Sequence, residues 1–240
     1  MKLYWETYFE ILSTDQVIRY TSNPLREYED EFIDGAIIDI GCGQSNILLE
    51  YSNSERTLYA IDNEQLQLDL LKQRAEPISN CGLKNWRFIR SEFPGDELPM
   101  ENYSVIILAN LLHFFLLDEC RDLEELFLKI SQKGTLIYIQ VHSHRYYAND
   151  PEDPDNNDYF KHYFKVEDFT EIFPPEKYER VYQAEIEKIN SKIEDEITSK
   201  WLDKAMEQDG ITDLRKKEII KADYLKNDTQ SDIQIIMRRK

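Results

Sequence analysis

Cysteine is scarce in this chain. Cys42, Cys81 and Cys120 are the only three in 240 residues, and no two of them form a CxxC pair. An odd number without that spacing suggests neither a disulfide framework nor a zinc knuckle. Long apolar runs are also lacking. Nothing approaches the ~18 consecutive apolar residues that span a bilayer. The opening residues, MKLYWETYFE, have no apolar core of a leader peptide. The sequence therefore reads as cytoplasmic, with no membrane partner. Positive charge is short as well: 29 Lys and Arg stand against 47 Asp and Glu, a formal net charge of −18. Such a surface repels phosphate backbones, so a nucleic-acid partner is not expected. The one dense basic cluster is Arg238-Arg239-Lys240 at the end of the chain.

Apolar material is plentiful. Hydrophobic residues make up 41% of the chain, with 15 Tyr and 11 Phe, enough for a real core. Lys2 to Phe32 reads as two helices, the second starting at Pro24, where the missing N–H costs nothing. Ala36 to Ile40 is a short apolar run that ends in Gly41-Cys42-Gly43: a buried strand and a tight turn. Ser45 and Asn46 can cap a helix over Ile47 to Tyr51.

Thr57 to Ile61 is a second strand, closed by Asp62. Asn63 to Glu76 is a helix with Leu66, Leu70 and Leu71 at helical spacing, stopped by Pro77. Trp86 to Arg90 and Val105 to Leu108 are the third and fourth strands. Asp118 to Ile130 is a helix with Leu123, Leu126, Phe127 and Ile130 on one side. Gly134 is expected to break it before a fifth strand, Thr135 to Val141. Strand and helix in alternation mean an α/β fold, a parallel sheet with helices on both faces.

Beyond Val141 the pattern changes. Asp150 to Asp158 is an acidic, proline-bearing loop. Val166 to Phe173 is a short helix ended by Pro174-Pro175, and Tyr178 to Ile189 alternates as a strand. Ile193 to Lys226 is charged and helical, and Ser231 to Met237 closes the chain as a strand. The last two strands are expected to be neighbours, with a helical insertion between them. The charged stretch from Lys188 to Lys226 reads as an acceptor-selecting insertion or a homodimer surface, with a solvated helical pair as the alternative.

In an open parallel sheet, ligands bind at the carboxyl ends of the strands where the strand order reverses. The Gly41-Cys42-Gly43 turn lies there. It lets backbone approach a ligand, beside the free N–H groups of the next helix. The dinucleotide fingerprint GxGxxG is incomplete, because its third glycine would be Asn46. Asp39 just before the turn is unfavourable for a pyrophosphate and suits a ligand with ammonium and sulfonium charges, which disfavours NAD. Asp62 lies about 20 residues past the loop, where an acid can accept from ribose hydroxyls. Its alternative role is to cap the following helix.

AIIDIGCGQS resembles motif I of class I S-adenosylmethionine-dependent methyltransferases, an acid, any residue, then GxGxG, with Ser45 in place of the last glycine. AIDNE resembles that family's ribose-binding segment. NYSVIILANLLHFF resembles its fourth-strand motif, with Ser104 where an acid is usual, and SDIQIIMRRK its antiparallel last strand. Within the class, the loop from Ile38 to Gln44, Asn102 to Ile106, Tyr163 to Glu167 and the opening Tyr4 to Tyr8 are similar to tellurite-resistance and thiopurine methyltransferases. The His-Arg pair of the tellurite group would fall at Glu187-Lys188 and is not matched.

The resemblance implies a Rossmann-like fold with a seven-stranded, mostly parallel sheet and an antiparallel last strand, as a single domain. Residues 1–34 would be an N-terminal helical lid and 35–141 the cofactor-binding core. Residues 142–190 would form an acceptor-side lid and sixth strand, 191–230 a helical insertion, and 231–240 the last strand. S-adenosylmethionine would be the methyl donor and a small molecule the acceptor.

Gly41, Cys42 and Gly43, with Asp39, would run under the methionine part. Asp62 would hold the ribose and Asn63 flank the adenine. Glu92, or else Ser91, would meet the adenine amino group, and Asn110 would face the donor methyl. His113 and His142 are the candidates for a catalytic base. His142-Ser143-His144 has no obvious third ligand, so no metal is expected. Tyr159 to Phe164 is either a roof offering a cation–π surface or plain packing, and Trp5, Tyr8 and Phe9 are either a lid or docking aromatics. Protein methylation, a non-catalytic S-adenosylmethionine-binding module and an NAD-dependent oxidoreductase are the alternatives in function.

Overall fold

The computed structural model describes residues 2–12, 23–80, 82–189, 192–226 and 229–240. The chain forms two compact units, one of residues 22–186 and 232–240, the other of residues 1–21 and 187–231.

The larger unit is built on a seven-stranded sheet. Its strands are β1 (Ala36–Ile40), β2 (Leu58–Asp62), β3 (Trp86–Arg90), β4 (Tyr103–Ala109), β5 (Ser131–His142), β6 (Tyr178–Ile189) and β7 (Thr229–Arg239), in the order β3-β2-β1-β4-β5-β7-β6. β3, β2, β1, β4 and β5 are parallel, and β7 runs antiparallel to β5. All five residues of β1 and of β2 are buried, as a central parallel strand covered on both faces requires.

Alternate residues of the strands face opposite layers. Ile38, Ile40, Ile106, Leu108, Ile137 and Ile139 meet Leu123, Phe127 and Ile130 of the helix Leu117–Ile130, and Phe169 of the helix Asp168–Ile172. On the other face Ile37, Leu58, Ala60, Ile107 and Tyr138 meet Leu48 of the helix Asn46–Glu50, and Leu68, Leu71 and Ala75 of the helix Gln65–Ala75. Pro24 opens a 3-10 helix over Pro24–Glu31.

Two sequence expectations need correction. The helix Gln65–Ala75 starts two residues later than its pattern suggests, and it buries Leu68 rather than Leu66, which is 49% exposed. Its inward face follows 68, 71 and 75, the three- and four-residue spacing of a helix. Gly134 does not separate helix from strand either. β5 begins at Ser131, and its register against β4 shifts between the pairs Tyr103–Ser131 and Val105–Leu136. Gly134 lies in this bulge at φ 93°, a left-handed value that a glycine adopts without strain.

The smaller unit packs the helix Lys2–Leu12 against Lys192–Gln208, which also meets Leu214–Lys226. The Trp201 ring is edge-on to Tyr4 at 5.6 Å and to Tyr224 at 5.5 Å. Lys204 bonds Glu10 at 2.5 Å. The side chains of Trp5 and Phe9 lie outside the described residues. Among the described residues no helix is long and apolar enough to cross a membrane.

Candidate functional site

From β1 the chain moves outward to β2 and β3, then returns to β4 on the other side of β1. The crevice above the carboxyl ends of β1 and β4 is where such a sheet leaves room for a ligand. The loop after β1 is shaped for close approach. Gly41 has φ 68° and Gly43 φ 49°. A Cβ at Gly41 would meet Leu111 Cδ1 at 2.8 Å, whereas at Gly43 the nearest atom is Gln67 Oε1 at 3.8 Å. A side chain at the first glycine would press on the end of Leu111, one at the second would make only an ordinary contact with Gln67, and the left-handed backbone favours glycine at both.

Two acids flank this loop. Asp39 is 1% exposed. Its Oδ2 accepts from the Ser45 hydroxyl, and its Oδ1 is buried with no hydrogen-bond partner. Burial pushes its carboxyl up to about 7, helped by the charge of Asp62 and opposed by the Ser45 hydrogen bond. Ser45, at the position of the third glycine, also accepts from the Leu48 N–H at 2.9 Å and caps the helix Asn46–Glu50. That helix is five residues long, so side chains and loop backbone define the site more than a helix dipole does.

Asp62 Oδ2 accepts from the Gly43 N–H at 2.8 Å, and Oδ1 from the Glu64 N–H at 2.8 Å. It ties the glycine loop to the start of the next helix, which unites its two expected roles. Burial raises its carboxyl above the ordinary range, and the N–H groups of Glu64 and Gly43 oppose this. Each oxygen keeps a second lone pair. Cys42 is a buried free thiol in the same turn, and its N–H donates to Ile61 at 2.9 Å.

The remaining expected residues lie along the same edge of the sheet. Asn63 is exposed, and its carbonyl accepts from Arg90 Nε at 3.0 Å. Glu92 is exposed, with its N–H on Asp96. Beside it, the Ser91 hydroxyl is buried and has no partner. Asn110, at the end of β4, has φ 58° and is exposed. Sequence reasoning passed over Gln44, whose buried Nε2 also has no partner. Polar atoms enclosed without a partner are rare, since each carries a desolvation penalty. Here three of them, on Asp39, Gln44 and Ser91, occur at the carboxyl ends of β1 and β3.

The ends of β4, β5 and β7 form the other half of the edge. His142 and Asp232 are direct cross-strand partners in the β5–β7 register, so their side chains share a face. His142 Nδ1 lies 2.8 Å from Asp232 Oδ1. Asp232 is 1% exposed, and its Oδ2 accepts from Gln140 Nε2 at 2.9 Å. Gln140 Oε1 in turn accepts from the Tyr138 hydroxyl at 2.9 Å and from Gln234 Nε2 at 3.2 Å.

The His142 ring is stacked between His113, at 4.1 Å and 4°, and Tyr146, at 3.8 Å and 21°. Phe160 is edge-on to His113, His142 and Tyr146. It reaches them because the N–H of Lys161 donates to the His113 carbonyl at 2.8 Å. His113 is 1% exposed, and burial foremost, then the nearby His142, holds it well below the ordinary imidazole range. It is therefore neutral, with its Nδ1 turned to the His142 N–H at 3.4 Å.

His144 is exposed, and His162 Nε2 lies 2.9 Å from Asp168 Oδ2. Among the described residues no three His, Cys, Asp or Glu side chains come together as a metal site. Asp232 was not singled out from sequence. Its only signal is an acid just before the mostly apolar run Ile233 to Met237.

The sequence matches no protein-family model and no curated protein. The fold does match solved structures. A methyltransferase of Thiobacillus denitrificans, in complex with S-adenosyl-L-homocysteine, aligns at TM-score 0.62 and 14% identity over 97% of this chain and 98% of its own. TehB from Haemophilus influenzae aligns at 0.61 and 12% over 98% and 67%. Coclaurine N-methyltransferase, bound to N-methylheliamine and SAH, aligns at 0.57 and 14% over 92% and 76%. This chain has the Rossmann-like fold of S-adenosylmethionine-dependent methyltransferases, with its glycine loop and two acids at the carboxyl edge of the sheet.

Proposed function

We propose that this protein is an S-adenosylmethionine-dependent methyltransferase acting on a small-molecule acceptor. The observation that carries this reading is the buried, half-satisfied Asp39 carboxylate under the Gly41–Gly43 turn, in a fold that in another protein holds S-adenosyl-L-homocysteine. A carboxylate with an enclosed, unfilled acceptor atom favours a cationic guest, and the methyl donor brings an ammonium and a sulfonium.

In this reading the amino group lies towards Asp39, and Gln44 offers its Nε2 to the carboxylate of the methionine part. Asp62 uses its free lone pairs on the ribose. Ser91, with its buried hydroxyl, is a better partner for the adenine amino group than the exposed Glu92. Asn63 flanks the adenine, and Asn110 faces the donor methyl. The donor supplies an activated methyl group, and the chain supplies alignment and exclusion of water.

The charge of −18 supports an acceptor other than nucleic acid. Coclaurine N-methyltransferase, bound to N-methylheliamine and SAH, is a precedent on this fold for a small molecule held together with the donor product. Calorimetric titration with S-adenosylmethionine, S-adenosylhomocysteine and NAD tests the reading. The first two are expected to bind, and Asp62→Ala, which frees the glycine loop, is expected to abolish that binding. Binding of NAD alone refutes the proposal.

A further inference from the structure

Asp232 belongs to no part of the donor site, yet it is completely buried and carefully oriented. A buried carboxylate left alone is costly, and this one has both oxygens engaged, Oδ1 by His142 and Oδ2 by Gln140. Tyr138 and Gln234 fix Gln140 in turn. A carboxylate so held favours the tautomer of His142 with its proton on Nδ1. The lone pair is then on Nε2, which has no hydrogen bond among the described residues. Both faces of the ring are covered by His113 and Tyr146, so only the edge is left, and the side chain remains 11% exposed. This is the arrangement that turns an imidazole into an oriented proton acceptor.

Resting on the methyltransferase reading above, we propose that His142, positioned by Asp232, is the catalytic base of the acceptor site, and that the acceptor presents a phenolic hydroxyl to its Nε2. The choice of acceptor follows from what needs a base. A neutral amine attacks a sulfonium methyl with its own lone pair. A hydroxyl must lose its proton, and an imidazole is matched to a phenol of pKa about 10 far better than to an aliphatic alcohol. The surroundings are aromatic, as suits a flat ring: Tyr146 and Phe160 contact His142, and Phe114 and Tyr159 extend the cluster through Phe160. The charged and titratable groups against His142 are Asp232 from β7, His113 from the turn after β4, and Tyr146 from the loop after β5.

The proton and electron balance closes within these partners. The phenol oxygen forms the new C–O bond as the methyl C–S bond breaks, leaving a neutral thioether. The hydroxyl proton passes to His142 Nε2, and the imidazolium formed beside Asp232 later gives it to water. No oxidant or reductant is required.

Two readouts test this on the full chain. The first is nitrogen NMR of the histidine rings without any ligand, with His142 assigned by the signal lost in His142→Gln. The neutral Nδ1–H tautomer is expected, and Asp232→Asn is expected to shift the population towards Nε2–H. An Nε2–H tautomer in the wild type overturns the proposal.

The second is methyl transfer at pH 8 to 4-methylphenol, which is un-ionised there, and to 4-nitrophenol, which is largely ionised. His142→Gln is expected to lose about 100-fold or more on 4-methylphenol, the usual worth of a positioned base, and to change little on 4-nitrophenol. Asp232→Asn should show the same pattern more mildly, with donor binding by calorimetry intact in both variants. Equal losses on both phenols, or loss of donor binding in both variants, would mean that the pair only supports the fold. A wild type that binds the donor but methylates neither phenol refutes the acceptor class. A wild type that does not bind the donor refutes the methyltransferase reading itself.

Discussion

Replacing Asp39 by asparagine changes the charge under the glycine loop and almost nothing else. The shape is kept, and Asn Oδ1 can still accept from the Ser45 hydroxyl. In the wild type, burial raises the Asp39 carboxyl from the usual 3.8 to about 7. The native state then holds a proton that the unfolded chain has already released. A raised folded pKa means that the associated stability is complete below about pH 4 and is lost as pH rises towards 7.

Between pH 5 and pH 7 the loss has a slope of about 1.4 kcal/mol per pH unit, a ceiling of about 3 kcal/mol. With half of this realised, a chain of this size gains about 3–6 °C in Tm from the substitution at pH 8 relative to pH 5. Comparing the two pH values cancels any constant cost of the new amide. The assay is differential scanning calorimetry of both proteins at the two pH values, alone and with S-adenosylmethionine. With the ligand the order should reverse, because only the wild type gains from a cation beside Asp39. Near pH 6, binding to the wild type should release a proton, visible as heats that depend on the buffer. The same pH dependence in both proteins refutes a protonated, buried Asp39, and unchanged ligand affinity in the variant refutes its role in binding.

The two loop glycines should respond differently. Gly41→Ala is expected to lower stability in thermal melts by about 1–2 kcal/mol for the left-handed backbone, and further for the Leu111 contact. Gly43→Ala should lose only the backbone part, because nothing lies within 3.4 Å of its Cβ, but it should weaken donor binding in calorimetry by filling the space above the loop. Ser45→Ala should cost about 1 kcal/mol through the lost helix cap. It also removes the one hydrogen bond that lowers the Asp39 pKa, so donor affinity should rise to its plateau at a higher pH than in the wild type.

The sequence by itself marked the central strands and the residues of the candidate donor site. Ala36 to Ile40 and Trp86 to Arg90 are strands at the residues that their composition marks, because a strand between two helical layers must be apolar along its length or at its centre. Gly41, Gly43, Asp39 and Asp62 were legible because a sharp turn at a strand end and the acids around it are local features of the chain. On Gln65–Ala75 the buried positions are Leu68, Leu71 and Ala75, of which the leucine spacing marks only Leu71, since a leucine-rich helix offers more than one apolar stripe and the sheet selects among them. The bulge at Gly134 arises from pairing with β4, which no local pattern encodes.

His113 and His142 were marked from the sequence as candidate bases, but the partner of His142 was decided only by tertiary structure. His142 and Asp232 are 90 residues apart and meet because β7 pairs with β5 in one register. A slip of one residue would send Asp232 to the opposite face of the sheet. Ser45 takes its dual role from close neighbours in the chain, Asp39 and Leu48, whereas the enclosed, unpartnered polar atoms of Ser91 and Gln44 are apparent only in the folded sheet. Local sequence sets the period and the turns, whereas pairing register and burial depend on the sum of contacts across the whole sheet.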